Sequence, residues 1–123
     1  MTGRVLLIED EPNIAEAIRF ILGRHGWDVV VRGDGPSGLA AVADLAPDLV
    51  ILDLMLPGIS GMDVLHRLRA DPATRDLPVM MLTAKGQSRD REAATRAGVS
   101  AFMTKPFANA AMVAAVRALM EPT

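Results

Sequence analysis

Leu49-Val50-Ile51-Leu52-Asp53-Leu54-Met55-Leu56-Pro57-Gly58 carries the strongest fold signal of the chain. Four apolar residues in a row, two of them β-branched, predict a strand over 49–52 that is covered on both faces. Asp53 then interrupts a run that would otherwise stay apolar to Leu56. A buried carboxylate without a partner is strongly disfavoured, so Asp53 needs a partner or an open edge. Pro57-Gly58 places a loop over 54–60.

Outward from this stretch, short apolar runs alternate with helical patterns. Strands are predicted at 5–8, 28–31, 79–82 and 101–103. Helices are predicted from Pro12 to about Arg24, from Pro36 to about Leu45, and over 62–69, 88–97 and 108–120. Pro12 and Pro36 suit first turns. Gly26 and Gly98 suit helix stops, and Ser88 suits a cap. Five strands alternating with five helices imply an α/β fold with a parallel sheet. With right-handed crossovers, the expected architecture is one doubly wound five-stranded sheet in the flavodoxin-like order 2-1-3-4-5, five helices covering both faces. A single domain over 1–123 is expected, since domains cluster near 100–150 residues.

Composition narrows the function. Half of the 123 residues are hydrophobic and 23% are charged, which supports a packed core. A net charge of −2 with no basic cluster argues against direct nucleic-acid binding. The absence of cysteine excludes disulfides, thiolate metal sites and a cysteine nucleophile. No apolar run approaches the roughly 18 residues of a membrane span, and the four apolar residues after Met1-Thr2-Gly3-Arg4 are too few for a signal peptide's h-region, so none is expected. The cytoplasm is the expected location, with no membrane partner.

In the expected strand order, polar residues gather at one sheet edge. The first strand ends in Glu9 and Asp10, the third in Asp53, the fourth in Thr83, and Lys105 follows the fifth. Ligands of such sheets bind there, where the winding reverses between strands 1 and 3. Three clustered carboxylates repel one another, and a divalent cation relieves that repulsion. Mg2+ favours a few carboxylates, waters and a phosphate oxygen. A carboxylate can also attack phosphorus to give an acyl phosphate. Lys105 and Lys85 are the only lysines among thirteen basic side chains. The histidines, His25 and His66, have no matching ligand or base and read as structural.

These residues carry a resemblance. Val5-Leu6-Leu7-Ile8-Glu9-Asp10-Glu11-Pro12, Leu52-Asp53-Leu54-Met55-Leu56-Pro57-Gly58, Leu82-Thr83-Ala84 and Lys105-Pro106-Phe107, in this order, resemble the receiver domain of two-component response regulators. The resemblance spans the whole chain. It implies that Asp53 accepts a phosphoryl group from a sensor histidine kinase or histidine phosphotransfer protein. It implies Mg2+ held by Asp10, Asp53, the Met55 backbone carbonyl and Glu9, the last through a water. It implies phosphoryl contacts from Thr83, the Ala84 backbone and Lys105, switch roles for Thr83 and Phe102, and a cis Lys105-Pro106 bond. Phe102 has no hydroxyl, so a switch hydrogen bond that tyrosine makes there is absent. The resemblance further implies that the side chains at the positions of Met55 and Lys85 flank the acyl phosphate. The result is a self-phosphorylating switch, not a turnover enzyme.

Two alternatives compete. Gly33-Asp34-Gly35-Pro36-Ser37-Gly38 spells the dinucleotide fingerprint, with Asp53 20 residues after Gly33. Pro36, however, removes a backbone donor where a pyrophosphate needs one. An aspartyl-nucleophile phosphatase would resemble Asp-x-Asp, but the second position is Met55, which transfers no proton. Two surfaces are also expected to bind partners. On the first helix Ile14, Ile18, Ile21 and Leu22 form the core stripe, which leaves Asn13, Ala17, Phe20 and Arg24 on an outer face for kinase docking. The fourth helix has only alanine as apolar residue and is weakly anchored. The fifth turns Ala110, Ala111, Ala114 and Ala118 outward, a face for a homodimer or output partner.

Overall fold

The computed structural model describes residues 3–84 and 88–121. Lys85, the cap expected of the Ser88 side chain, and the 122–123 end lie outside the described residues. The elements run β1 (Arg4–Ile8), α1 (Pro12–Arg24), β2 (Asp28–Arg32), α2 (Gly35–Leu45), β3 (Leu49–Asp53), α3 (Gly61–Ala70), β4 (Val79–Thr83), α4 (Ser88–Arg96), β5 (Ala101–Thr104) and α5 (Asn109–Met120). All strands are parallel, in the order β2-β1-β3-β4-β5. The expected architecture is the observed one. The element ends differ by a residue or two, because β2 continues through Arg32 and β5 through Thr104.

The pleat explains the two cores. Val5, Leu7, Ile51, Met80 and Leu82 face α1 and α5, meeting Ile18, Leu22, Met112 and Val116. Leu6, Ile8, Val50, Leu52 and Met81 face the opposite way and meet Val42, Val64, Leu65 and Leu68 of α2 and α3. The inner strands β1, β3 and β4 therefore read as near-continuous apolar runs, since both faces are covered, whereas the edge strands β2 and β5 are only partly buried. At about 1.5–3 kcal/mol for each large apolar side chain removed from water, these two layers dominate the stability. Ile14 and Ile21 are half-buried and pack on the rim of the first core. Of α4's described side chains only Ala94 is fully buried, so that helix contributes little apolar area.

Local chemistry fixes the helix ends. Pro12 opens α1, and Asp34 caps α2 by accepting from the Ser37 N–H at 2.8 Å. Ser60 and Asp63 form a reciprocal capping box at α3. α1 ends at Arg24, with His25 as its cap residue. Ala46 ends α2 in the left-handed region at φ 47°, an uncommon conformation for a residue with a Cβ. Gly61 packs so closely under the end of β3 that a Cβ there would strike the Asp53 carbonyl oxygen. Its N–H donates to the Leu54 carbonyl at 2.9 Å. This contact pins the 54–60 loop beside the carboxylate edge.

Candidate functional site

The register of the sheet carries the polar strand ends to one place. β1 and β3 are neighbours, with Ile8 opposite Leu52, so Glu9 and Asp53 leave the sheet side by side. Asp53 lies opposite Leu82, and Thr83 opposite Thr104, which sets Thr83 and Lys105 beyond them. The Lys105 N–H donates to the Thr83 carbonyl at 2.6 Å, and the Lys105-Pro106 peptide is cis.

Glu9, Asp53 and Thr83 are the buried polar residues of the described chain, at 2%, 4% and 3% exposure. Burial of two carboxylates is tolerated only with compensation. Lys105 supplies it, its ammonium donating to Glu9 Oε1 at 2.8 Å and to Asp53 Oδ2 at 3.3 Å. Backbone N–H groups satisfy the other oxygens: Glu11 donates to Glu9 Oε2 and Met55 to Asp53 Oδ1, both at 3.1 Å. Burial works to lower the Lys105 pKa. The Glu9 hydrogen bond and the charges of Asp53 and Glu9 outweigh it and raise the pKa above the ordinary 10.5. Lys105 thus stays charged at neutral pH.

Asp10 is exposed at the mouth of the site. It, Glu9 and Asp53 each offer a carboxylate oxygen, all within 4.8 Å of one another. Hard oxygen donors at this density suit Mg2+ or a similar cation. The site opens into a cleft of about 780 Å³ lined by Asp10, Asn13, Ala17, Asp53, Met55, Ala84, Lys105 and Phe107, among others.

The expected docking face divides. Asn13 and Ala17 line the cleft. Phe20 does not; it is 63% exposed, with the Arg24 guanidinium 5.7 Å from its ring centroid. Arg24 lines a separate groove between α1 and α5, with Ile21, His25 and Arg117. Phe102 is half-buried on β5 opposite Met81, and the Arg91 guanidinium of α4 lies 4.9 Å from its ring centroid. That cation–π contact had no signal in sequence. Phe107 and Asn109 also line the cleft; their place after Lys105-Pro106 was the available clue. The alanine face of α5 is exposed as expected.

Both alternatives lose ground to this geometry. The N-terminus of α2 already holds the Asp34 carboxylate, where a pyrophosphate would have to bind. Met55 points a thioether into the cleft at 71% exposure, and it carries no acid group.

A family model described as response regulator receiver domain matches residues 5–117. The chain belongs to that family. It is 44% identical over 118 residues to the DNA-binding response regulator MtrA of Mycolicibacterium smegmatis, covering 96% of this chain and 50% of that protein. It is 44% identical over 120 residues to the DNA-binding dual master transcriptional regulator RpaA of Synechocystis, covering 98% and 50%. Among solved structures, the BeF3-activated N-terminal receiver domain of Klebsiella pneumoniae RstA is similar, with a TM-score of 0.90 and 30% identity over 97% of this chain and 99% of that one. The chain spans about half the length of the curated relatives it matches. As a receiver domain it is a phosphorylation-dependent signalling switch of a two-component system. Among the described residues, no helix is long and apolar enough to cross a membrane.

Proposed function

We propose that Asp53 is the phosphoryl acceptor and that residues 1–123 form one receiver unit. The observation that carries this reading is the buried Glu9–Lys105–Asp53 ion cluster beside Asp10 at the open switch point of the sheet. An Asp53 carboxylate oxygen attacks the phosphorus of a phosphohistidine on a sensor kinase or phosphotransfer protein. The phosphorus–nitrogen bond breaks, imidazole leaves, and an aspartyl phosphate forms. Lys105, the Thr83 hydroxyl and the Ala84 backbone N–H then meet the phosphoryl oxygens. Phosphoryl transfer needs mainly such positioning and charge neutralisation.

Glu9, Asp10, Asp53 and the Met55 carbonyl would hold Mg2+, which supplies further neutralisation of phosphoryl charge when bound. Small phosphodonors such as acetyl phosphate serve as well, and water later hydrolyses the acyl phosphate; each cycle consumes one donor to set a signalling state, and the chain is a switch rather than a turnover enzyme. The new bonds draw on Thr83 and Lys105, which sit at the ends of β4 and β5. Phe102 and α4 follow, and the α4–β5–α5 surface changes toward an output partner or a second copy. Kinase docking uses Asn13 and Ala17 in the cleft, extended over Phe20 and Arg24. Such a module works in the cytoplasm and touches no nucleic acid itself. Incubation with acetyl phosphate and Mg2+ should add one phosphoryl mass, and Asp53→Asn should abolish it. Undiminished labelling of that variant overturns the assignment.

A further inference from the structure

Met55 is the one exposed methionine among the described residues. It is 71% exposed, whereas Met80, Met81 and Met112 are fully buried and Met62, Met103 and Met120 are half-buried. Among the described large apolar side chains, only Phe20 is comparably exposed, at 63%. Met55 also lines the cleft that contains Asp53, and its own N–H donates to Asp53 Oδ1 at 3.1 Å. Its sulfur is therefore both accessible to solutes and tethered two residues from the acceptor carboxylate.

We propose, resting on Asp53 as the phosphoryl acceptor, that Met55 is a site of reversible oxidation that shortens the life of the aspartyl phosphate. A peroxide transfers one oxygen atom to the thioether: the sulfur is oxidised to the sulfoxide, the O–O bond breaks, and the peroxide is reduced to water or an alcohol. Sulfoxide reductases reverse the change. The reduced side chain is an apolar wall beside the acyl phosphate and orients no water. The sulfoxide oxygen is a strong acceptor at the same place, able to hold a water for attack on phosphorus. It is not a general base, so the expected acceleration is about three- to tenfold, below the ~10²-fold of a positioned base. Because Met55 packs into no core, oxidation leaves the fold intact.

The test treats the folded protein with hydrogen peroxide and maps sulfoxide by peptide mass. The protein is then labelled with acetyl phosphate and Mg2+, and decay of the label is followed. Met55 should oxidise well before Met80, Met81 and Met112. The oxidised protein should lose its label faster, and treatment with a methionine sulfoxide reductase should restore the slower decay. Met55→Leu should decay at one rate with or without peroxide. Sulfoxide at Met55 with unchanged decay overturns the proposal, as does oxidation of the buried methionines ahead of Met55. Failure of the untreated protein to label at all instead refutes Asp53 as acceptor.

Discussion

Replacing Lys105 by methionine keeps most of the stem's bulk and removes the ammonium that two buried carboxylates share. Glu9 loses a 2.8 Å contact and Asp53 a 3.3 Å contact, while both side chains remain almost wholly buried. Breaking a buried pair costs about 3–5 kcal/mol, and the open cleft argues for the low end, about 3 kcal/mol without Mg2+. For a domain of this size that lowers Tm by about 10 °C. Mg2+ competes with Lys105 for the same oxygens, so the variant should bind it more tightly than the parent. At a hundredfold excess over its Kd, the cation restores about 2.7 kcal/mol. The pH dependence has a defined sign. The folded Lys105 titrates above 10.5, so its stabilisation is complete below that value and is lost only as pH rises through the folded pKa. The gap between parent and variant should therefore hold from neutrality to about pH 10 and close above it. Thermal unfolding by circular dichroism, with chelator and then with Mg2+, measures each quantity. A loss below about 1 kcal/mol, or equal Mg2+ responses, would refute the role given to Lys105.

Phe20→Ala should slow phosphotransfer from the cognate kinase markedly, with acetyl phosphate labelling and Tm little changed; ready unfolding of the variant would mark Phe20 as structural. Ala46→Gly should raise stability by about 1 kcal/mol in urea titrations, since glycine adopts the φ of 47° without the Cβ strain. Met55→Asn should speed loss of the phosphoryl label, read by intact mass over time, because a polar side chain there can orient the attacking water.

The inner strands were legible because burial on both faces writes each as a near-continuous apolar run. Asp53 stood out for the same reason, as the one charge in such a run. What local reading cannot supply is the partner across the fold. Lys105 lies closer to Glu9 than to Asp53, although the register of β1 against β3 brings both carboxylates to the same edge. The outer face of α1 was read correctly as exposed, yet periodicity says nothing of what lies beside a helix. Asn13 and Ala17 therefore turned out to border the cleft, while Arg24 borders a groove with α5. The Arg91–Phe102 contact and the left-handed Ala46 depend on tertiary placement and leave no local trace.

In the proposed function one carboxylate, at the end of β3, carries the phosphoryl group. Acyl phosphates are reduced by borohydride to alcohols, which marks the modified residue permanently. After labelling with acetyl phosphate and Mg2+, borohydride trapping followed by peptide mass mapping should place the reduced side chain at position 53 alone. A mark at Glu9 or Asp10, or none at position 53 in a protein that carries the phosphoryl mass, would contradict it.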